Sequence, residues 1–289
     1  MRFWLSITFV PTPTLPGILV AAEAAGFDGV AIGEHLVVLD AVATRYPYSA
    51  SGDPTMRPDS HFPDPLVLAG LLGGLTTRLS LMTSVYVVPL RPVLVVAKAV
   101  STAAVLCGGR LVFGIGTGWL REEFEAAGQD FATRGRRTDE MLEVIGQLLT
   151  GAPVEHHGRF VDLAPVTMSP VPERPVPVLV GGHSDAALAR AAAHDGWIGL
   201  PTTLDHLVGL LDALRAARAA RSSVGPFAVV VSAAGMAASA DYGALAELGV
   251  TDVIVPTHEG LGSRRAPLAD QRATMAAFVD SVSTWRTGG

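Results

Sequence analysis

The chain has 289 residues, of which 49% are hydrophobic and only 17% are charged, with a formal net charge of -6 and a single cysteine, Cys107. Burial of so many apolar residues can offset the lost conformational entropy, which excludes a disordered chain, and one cysteine excludes a disulfide framework or a cysteine-built metal cluster. The mild acidity and the lack of a basic block argue against nucleic-acid binding. No segment is typical of a targeting peptide or a membrane span, so we expect a soluble protein of the reducing cytoplasm.

Short apolar runs alternate with helix-like segments from one end of the chain to the other. The runs predict strands at 3–10, 29–33, 79–88, 110–115, 176–180, 196–199, 227–232 and 252–256. The segments between them predict helices at 15–25, 64–75, 92–106, from about 121, 136–149, 184–194, 204–221, 242–248 and 268–285. The runs are continuous and rich in Val, Ile and Leu, which is typical of parallel strands covered on both faces.

Eight strand–helix units in a chain of this length predict an α/β fold of the (β/α)8 TIM barrel type. The alternative is a doubly wound open sheet, which usually has fewer strands and needs a crevice where the strand order reverses. We expect one barrel domain over residues 1–289, with loop excursions at about 37–63 and 151–175.

The loop excursion at 37–63 follows the second predicted strand and has neither a helical nor a strand period. Loops of this length in compact domains are usually functional lids or disordered segments. We interpret it as a lid over the C-terminal face of the barrel, where Tyr46, Tyr48 and His61 are candidates for contact with the substrate. A flexible surface excursion is the alternative.

The sequence Gly181-Gly182-His183-Ser184 leads from the fifth predicted strand into a helix. Glycine allows close approach of the backbone, and the free N–H groups of a helix start favour an anion, to which the Ser184 hydroxyl can also donate. The alternative is a tight turn in which Ser184 caps the helix. His183 can add positive charge there if it is protonated.

A second glycine-rich strand end is Gly114-Ile115-Gly116-Thr117-Gly118, followed by Trp119. It lacks the spacing of a dinucleotide fingerprint and the acidic residue that would follow it. Its glycines instead allow a flat ring system to lie against the backbone, with Trp119 as an apolar wall.

Glu34 and His35 end the second predicted strand, and His35 is a candidate proton donor or acceptor near neutral pH. A buried structural histidine is the alternative. Lys98 falls in mid-helix, away from the strand ends that Schiff-base catalysis requires, and Glu34 is the one well-placed carboxylate where glycoside hydrolysis requires two. The His156-His157 pair lies in a loop, so we expect no metal site. What remains suits a phosphorylated planar cofactor.

Several short runs together carry a specific resemblance to a known family. They are the runs at 24–35, 64–66, 108–124, 134–140, 157–160, 180–184 and 195–197. In this order they resemble the bacterial luciferase-like oxidoreductases, and within them the short branch that depends on coenzyme F420. The similarity covers nearly the whole chain.

The resemblance implies a (β/α)8 barrel that holds a flavin or deazaflavin at its C-terminal mouth. It implies that His35 is the proton donor or acceptor beside the reacting ring, with Glu34 orienting nearby groups. The other implied cofactor contacts are a non-proline cis peptide bulge at Ser84 and Val85 behind the ring, Thr117 and Gly118 along it, and a phosphate turn of Gly181, Gly182, His183 and Ser184. It also implies a homodimer.

One position departs from the family pattern. The F420-dependent sugar-phosphate dehydrogenases of the family carry a catalytic glutamate directly after Gly-Thr-Gly, where this chain has Trp119. An aromatic wall is a poor partner for a sugar hydroxyl, so we predict hydride transfer between F420 and a less polar small organic substrate. The alternatives are a monooxygenase that uses reduced FMN and oxygen with a separate reductase, and a flavin- or F420-binding protein without catalysis.

Overall fold

The computed structural model describes residues 1–49, 51–54, 56–222, 225–234 and 242–286. Its strands are β1 (Arg2–Ser6), β2 (Gly29–Ile32), β3 (Ser80–Thr83), β4 (Tyr86–Val87), β5 (Leu111–Gly116), β6 (Val154–His157), β7 (Asp162–Val166), β8 (Val178–Gly181), β9 (Gly196–Gly199), β10 (Ala228–Ser232) and β11 (Asp252–Val255). Its α-helices are α1 (Leu15–Ala25), α2 (Pro65–Leu75), α3 (Val93–Leu106), α4 (Arg121–Ala126), α5 (Arg134–Leu148), α6 (Asp185–Ala191), α7 (Leu204–Ala220), α8 (Tyr242–Glu247), α9 (Thr257–Gly260) and α10 (Leu268–Ser281).

The prediction of a (β/α)8 barrel is confirmed. Within the described residues, parallel strands form a closed ring in the order β1-β2-β3-β5-β8-β9-β10-β11. The ring closes because β3 pairs with β5, with Leu81 opposite Leu111, and because β1 pairs with both β2 and β11. An open sheet would end in two unpaired edges, whereas each of these strands has two neighbours, so the doubly wound alternative is excluded.

The interior of the barrel is filled at its N-terminal end by an indole. Trp4 is 1% exposed and packs inside the ring of strands with Ala31, Met82, Leu179, Ile198, Val230 and Ile254. Gly29 on the neighbouring strand leaves room for the ring, because a Cβ at that position would collide with it. Trp4 Nε1 donates to Asp252 Oδ1 at 2.7 Å, which satisfies the one polar atom of this buried side chain.

The predicted strand at 79–88 is wrong as a single element, since it consists of β3 and β4. Ser84 and Val85 separate the two, and the peptide bond between them is cis. The residues on both sides of the break are buried, and the break coincides with the polar residues Thr83 and Ser84, which interrupt the apolar run in the sequence. The break lies where β3 ends, on the face of the barrel where the cavity opens.

The excursion at 151–175 is also more regular than expected, because it contains the antiparallel hairpin of β6 and β7. Three of the four β6 side chains and all five of those in β7 are at least partly exposed, which explains why no apolar run marks them. The Glu140 carboxylate of α5 holds the turn by accepting from the N–H groups of Phe160 and Val161, both at 2.8 Å. Lys98 lies in α3, as predicted, and donates to the Ser169 carbonyl.

Candidate active site

A cavity of about 500 Å³ opens at the C-terminal ends of the barrel strands. Of the predicted site residues, those that line it are Glu34, His35, Tyr46, Tyr48, Ser84, Val85, Thr117, Gly118, Trp119 and Gly181. Those that lie outside its lining are His61, Gly182, His183 and Ser184. The structure thus brings together strand ends that are far apart in sequence, at the face where (β/α)8 barrels carry their function.

His35 is held on several sides at the mouth. Its Nδ1 lies 2.9 Å from Glu123 Oε2, and the Leu36 N–H donates to Glu123 Oε1 at 2.6 Å. Ring edges of Phe62 and Trp119 meet the imidazole at centroid distances of 5.1 and 5.9 Å. Within the described part of the chain, no hydrogen bond is made by Nε2, so this nitrogen is left for a molecule bound in the cavity.

Glu34 lines the cavity, but its carboxylate is bonded to the chain that follows the bulge. Its carboxylate accepts from the Val87 N–H at 2.7 Å and pairs with the Arg91 guanidinium. Burial raises the pKa of Glu34 to about 7, against the lowering effects of Arg91 and of the Val87 N–H. Arg91 in turn lies 3.5 Å from Asp64 Oδ2 at the start of α2 and 4.6 Å from the centre of the Tyr86 ring. Glu34 therefore fixes β4, and through it the end of the bulge.

The bulge at Ser84 and Val85 explains two of the strand-end glycines. A Cβ at Gly116 would lie 2.5 Å from Val85 Cγ2, and one at Gly181 would lie 2.6 Å from Val85 Cγ1. Such approaches are far inside van der Waals contact, so both positions exclude a side chain. The sequence indicates close approach of a ring for the run that contains Gly116 and an anion turn for the run that contains Gly181, whereas in the structure both glycines leave room for Val85.

His183, in the turn between β8 and α6, is neutral near pH 7. His183 Nε2 accepts from the Leu200 N–H at 3.1 Å, and burial and the neighbouring His206 lower the pKa of His183 to about 4. Ser184 Oγ accepts from the Ala187 N–H at 3.2 Å, so Ser184 caps α6 as the alternative interpretation proposed. Gly182 has a φ of +127°, which side-chain-bearing residues rarely adopt.

Two tyrosines of the 37–63 excursion lie over the mouth and divide it. The Tyr46 ring meets that of Trp119 edge to face at 5.0 Å, whereas the Tyr48 ring meets that of His183 at 5.1 Å. Burial raises the pKa of Tyr46 to about 12 and also raises the pKa of Tyr48, so both phenols are neutral near pH 7. Tyr46 belongs to the side of the cavity near His35, and Tyr48 to the side near the β8–α6 turn.

His61 does not take the place that was expected of it. Its Nδ1 accepts from the Thr12 N–H at 3.1 Å, and its side chain is exposed outside the cavity. The next residue, Phe62, lines the cavity instead, and its ring packs on those of His35 and Phe9. Phe62, and not His61, therefore forms this part of the cavity wall.

Comparison with known protein families identifies the family of the chain. The sequence model of the luciferase-like monooxygenase family matches residues 12–278. The chain belongs to this family. An uncharacterised protein of Mycobacterium tuberculosis is 37% identical over 268 residues, which cover 91% of this chain and 92% of that protein. The F420-dependent glucose-6-phosphate dehydrogenase of Microbacterium testaceum is 30% identical over 176 residues, which cover 60% of this chain but only 47% of that enzyme.

A solved structure shares the whole luciferase-like fold. It is an F420-dependent secondary alcohol dehydrogenase in complex with an F420–acetone adduct, with a TM-score of 0.78 over 99% of this chain and 100% of that chain. The sequence identity is 13%, so the likeness shows the fold alone. In the described part of this chain, no helix is both long and apolar enough to span a membrane.

Three residues of this luciferase-like cavity were missed in the sequence. Phe62 and Glu123 contact His35, and Arg264 lines the rim with its guanidinium 5.2 Å from the centre of the Phe9 ring. Glu123 stands in the run at 108–124 that carries the family resemblance, and the acidic pair in the first turn of α4 was the available signal. Arg264 follows the last barrel strand in a loop that offered no pattern.

Proposed function

We propose that this protein is a coenzyme F420-dependent oxidoreductase that transfers hydride between the deazaflavin and a small, rather apolar organic substrate. The observation that carries the proposal is the state of His35, which binds Glu123 through Nδ1 and keeps Nε2 for the cavity. Reduction of a carbonyl or oxidation of an alcohol needs a proton donor or acceptor beside the carbon that exchanges hydride. His35 is suited to that task near neutral pH.

The wall at the bulge suits a flat ring. Val85 fills the gap between Gly116 and Gly181, so a ring would meet a closed apolar surface there, and Thr117 and Gly118 continue that surface along the mouth. When bound, the deazaflavin would supply the hydride chemistry, while the chain supplies position and excludes water. We assign the ring to this wall.

The charge at the β8–α6 turn favours F420 over FMN. His183 is neutral because burial lowers its pKa to about 4, and Asp185 adds an acidic side chain to the first turn of α6. Among the described residues, no arginine or lysine is bonded to this turn. F420 carries a phosphodiester with one negative charge, whereas FMN carries a phosphomonoester with up to two. Backbone N–H groups alone suit the smaller charge better.

The substrate side of the cavity is aromatic. Trp119, Tyr46 and Phe62 line it beside His35, and a cavity of about 500 Å³ has the size of a small-molecule site. Neutral aromatic walls favour a substrate with few polar groups. We therefore propose that a small ketone, aldehyde or alcohol with an apolar body binds against Trp119, with its oxygen towards His35.

The test is a titration of the cofactor-free protein with F420 and with FMN, each oxidised and reduced, followed by tryptophan fluorescence. Trp119 lines the cavity, whereas Trp4 and Trp197 are fully buried, so Trp119→Phe identifies the responsive ring. We expect F420 to bind at least about tenfold more tightly than FMN, a difference of roughly 1.4 kcal/mol.

The other outcomes separate the alternatives. Tight FMN binding without F420 binding would overturn the proposal in favour of a monooxygenase, as the family name suggests. Binding of F420 without turnover of any small ketone, aldehyde or alcohol would favour a cofactor-binding protein. Binding of neither cofactor would remove both enzyme functions.

We propose that two copies of the chain associate through α2 and α3. Among these helices Lys98 is the one charged residue, and it is bonded to Ser169. Their exposed apolar side chains are Val67, Leu71, Leu75, Leu94, Val95, Val105 and Leu106. Together they present roughly 600 Å², large for a monomer and close to the about 800 Å² per partner of a standard interface.

A face that is apolar apart from Lys98 suits an identical partner, because symmetric dimer interfaces are self-complementary and apolar. We expect Leu106→Glu to shift the chain from dimer to monomer in sedimentation at micromolar concentration. Leu204→Glu on α7 is the matched control, since Leu204 is 46% exposed on another face. A monomeric native chain would contradict the proposal.

A further inference from the structure

We infer that Glu123 is the positioning residue of His35: it fixes the orientation of the imidazole and selects Nε2 as the nitrogen that exchanges protons with the substrate. The role in the reaction rests on the proposed function. The geometry from which it is argued does not, because it belongs to the chain alone.

The two oxygens of Glu123 hold two consecutive parts of the chain. Oε2 lies 2.9 Å from His35 Nδ1, and Oε1 accepts from the Leu36 N–H at 2.6 Å. The Glu123 side chain is only 2% exposed and the His35 side chain 13%. An ionised carboxylate only accepts hydrogen bonds, so Nδ1 must carry a proton in this pair. Neutral His35 then has its lone pair on Nε2.

The surroundings of His35 leave this control to Glu123. The other groups in ring contact with the imidazole, Phe62 and Trp119, carry no charge. Glu34, which precedes His35 in the chain, is bonded to Val87 and Arg91 instead. Of the charged side chains described, Glu123 is therefore the one that touches the ring. By accepting from Nδ1–H, a carboxylate at this distance holds the imidazole in one orientation.

The consequence for proton transfer is the same in both directions. In reduction, the Nε2–H bond breaks and its proton passes to the carbonyl oxygen as hydride arrives at the carbon, which leaves His35 neutral. In oxidation, Nε2 takes the hydroxyl proton as hydride leaves the carbon, which makes His35 cationic. Glu123 stays ionised throughout and holds Nδ1–H in place, as a buried aspartate does for the histidine of serine proteases.

The neighbouring carboxylate of Glu122 offers a matched control. Glu122 Oε1 accepts from the N–H groups of Ala43 and Thr44 at 2.8 and 2.9 Å. It therefore ties the 37–63 excursion to α4, the helix that also carries Glu123, but it does not touch the imidazole. Glu122→Gln tests the docking of the excursion, whereas Glu123→Gln tests the docking and the control of His35 together.

The first experiment observes His35 directly, in cofactor-free protein labelled with ¹⁵N-histidine, by two-bond ¹H–¹⁵N spectra over a pH series. His35→Asn assigns the His35 signals. We expect neutral His35 to carry its proton on Nδ1 in the native chain and in Glu122→Gln. In Glu123→Gln we expect the Nε2–H tautomer to appear, because an amide can donate to Nδ1.

The second experiment measures turnover with F420. We expect Glu123→Gln to lower kcat by about 10- to 1000-fold, with F420 affinity within about twofold of native. Glu123→Asp should restore part of kcat. If Glu123→Gln does not fold, Glu123→Asp serves for the spectra, in which the shorter carboxylate should hold the proton on Nδ1 less completely than in the native chain.

The outcomes separate the role of Glu123 from the proposed F420-dependent function. A native His35 tautomer in folded Glu123→Gln would overturn the role of Glu123. The expected spectra in a protein that binds no F420 would leave that role intact and refute the proposed function.

Discussion

The two ends of the barrel each bury a carboxylate near an indole, but they use it differently. At the N-terminal end, Asp252 is fully buried and accepts from Trp4 Nε1 at 2.7 Å, from Arg2 and from the Thr251 hydroxyl. At the mouth, Glu123 also has both oxygens occupied, yet its partner His35 keeps one ring nitrogen without a hydrogen bond among the described residues. A closed network contributes stability, whereas a network with one free site can act on a ligand. Variants at the two ends should separate these properties.

The largest effect is expected at the mouth, from His35→Asn. The asparagine amide can still donate to Glu123, so the buried carboxylate keeps a partner, but the group that exchanges a proton is lost. We expect kcat with F420 to fall about 10²- to 10⁴-fold, with F420 affinity and the midpoint of urea unfolding close to native. An unchanged kcat would remove His35 from the mechanism.

At the opposite end, Asp252→Ala should reverse this pattern. It leaves the buried indole nitrogen of Trp4 without an acceptor, and an unsatisfied buried donor costs about 1–3 kcal/mol. We expect that loss in the free energy of urea unfolding, with native kcat for the folded fraction.

The matched control is Arg2→Met at the same end. Arg2→Met removes a half-exposed cation but keeps the hydrogen bonds that Asp252 accepts from Trp4 and Thr251, so we expect a smaller loss of stability than in Asp252→Ala. A fall in kcat without a loss of stability in Asp252→Ala would contradict the division between the two ends.

The fold was predictable where the signals were local. The bounds of α1 and β9 agree with the sequence predictions, and α1 ends at Gly26, whose φ of +98° stops the helix. The closed ring followed from counting buried apolar runs. The hairpin of β6 and β7 was missed because the Glu140 carboxylate, which lies 20 residues before Phe160 in the chain, stabilises its turn.

The sequence indicated some of the residues that line the candidate cavity, missed others such as Phe62, and did not indicate the contacts between them. His35, Val85 and Trp119 lie together as expected, since strand ends meet at one face of a barrel. The pairing of His35 with Glu123 joins residues 88 positions apart, and the need for Gly116 arises from the methyl groups of Val85. Neither contact leaves a periodic or spacing signal in one sequence.

A smaller effect is expected from Gly116→Ala at the mouth, because its Cβ would lie 2.5 Å from Val85 Cγ2. Overpacking of this kind costs about 1–3 kcal/mol and should displace the bulge, which weakens F420 binding. Val85→Ala in the same chain removes the collision, so the double variant should recover stability, and the coupling in a double-mutant cycle should exceed about 0.5 kcal/mol.

Gly146 of α5 is the control, since a Cβ there meets nothing within 4 Å. Gly146→Ala should leave F420 binding unchanged and stabilise the chain by up to about 1 kcal/mol, as alanine usually does in a helix interior. Additive effects of Gly116→Ala and Val85→Ala would show that the two sites do not constrain each other.

A pH dependence of opposite sign is expected at the two ends. Burial raises the pKa of Glu34 at the mouth from 4.5 to about 7. Burial also acts to raise the pKa of Glu23, but hydrogen bonds from the N–H groups of Leu79, Arg78 and Thr77 lower it to about 2. Glu23 ties α1 to the chain that enters β3, at the N-terminal end.

The sign follows from proton counts in the folded and unfolded chains. Between pH 4.5 and 7 the folded chain keeps a proton on Glu34 that the unfolded chain has released, so the contribution of Glu34 to stability falls as the pH rises. Between pH 4.5 and 2 Glu23 is protonated in the unfolded chain but still ionised in the folded chain. The contribution of Glu23 to stability is therefore lost as the pH falls. Urea unfolding of native, Glu34→Gln and Glu23→Gln chains over this range checks both. The free energy of unfolding of the native chain should fall relative to that of Glu34→Gln towards pH 7, and relative to that of Glu23→Gln towards pH 2. Plots of this free energy against pH that run parallel for native and variant chains would contradict the assigned charges.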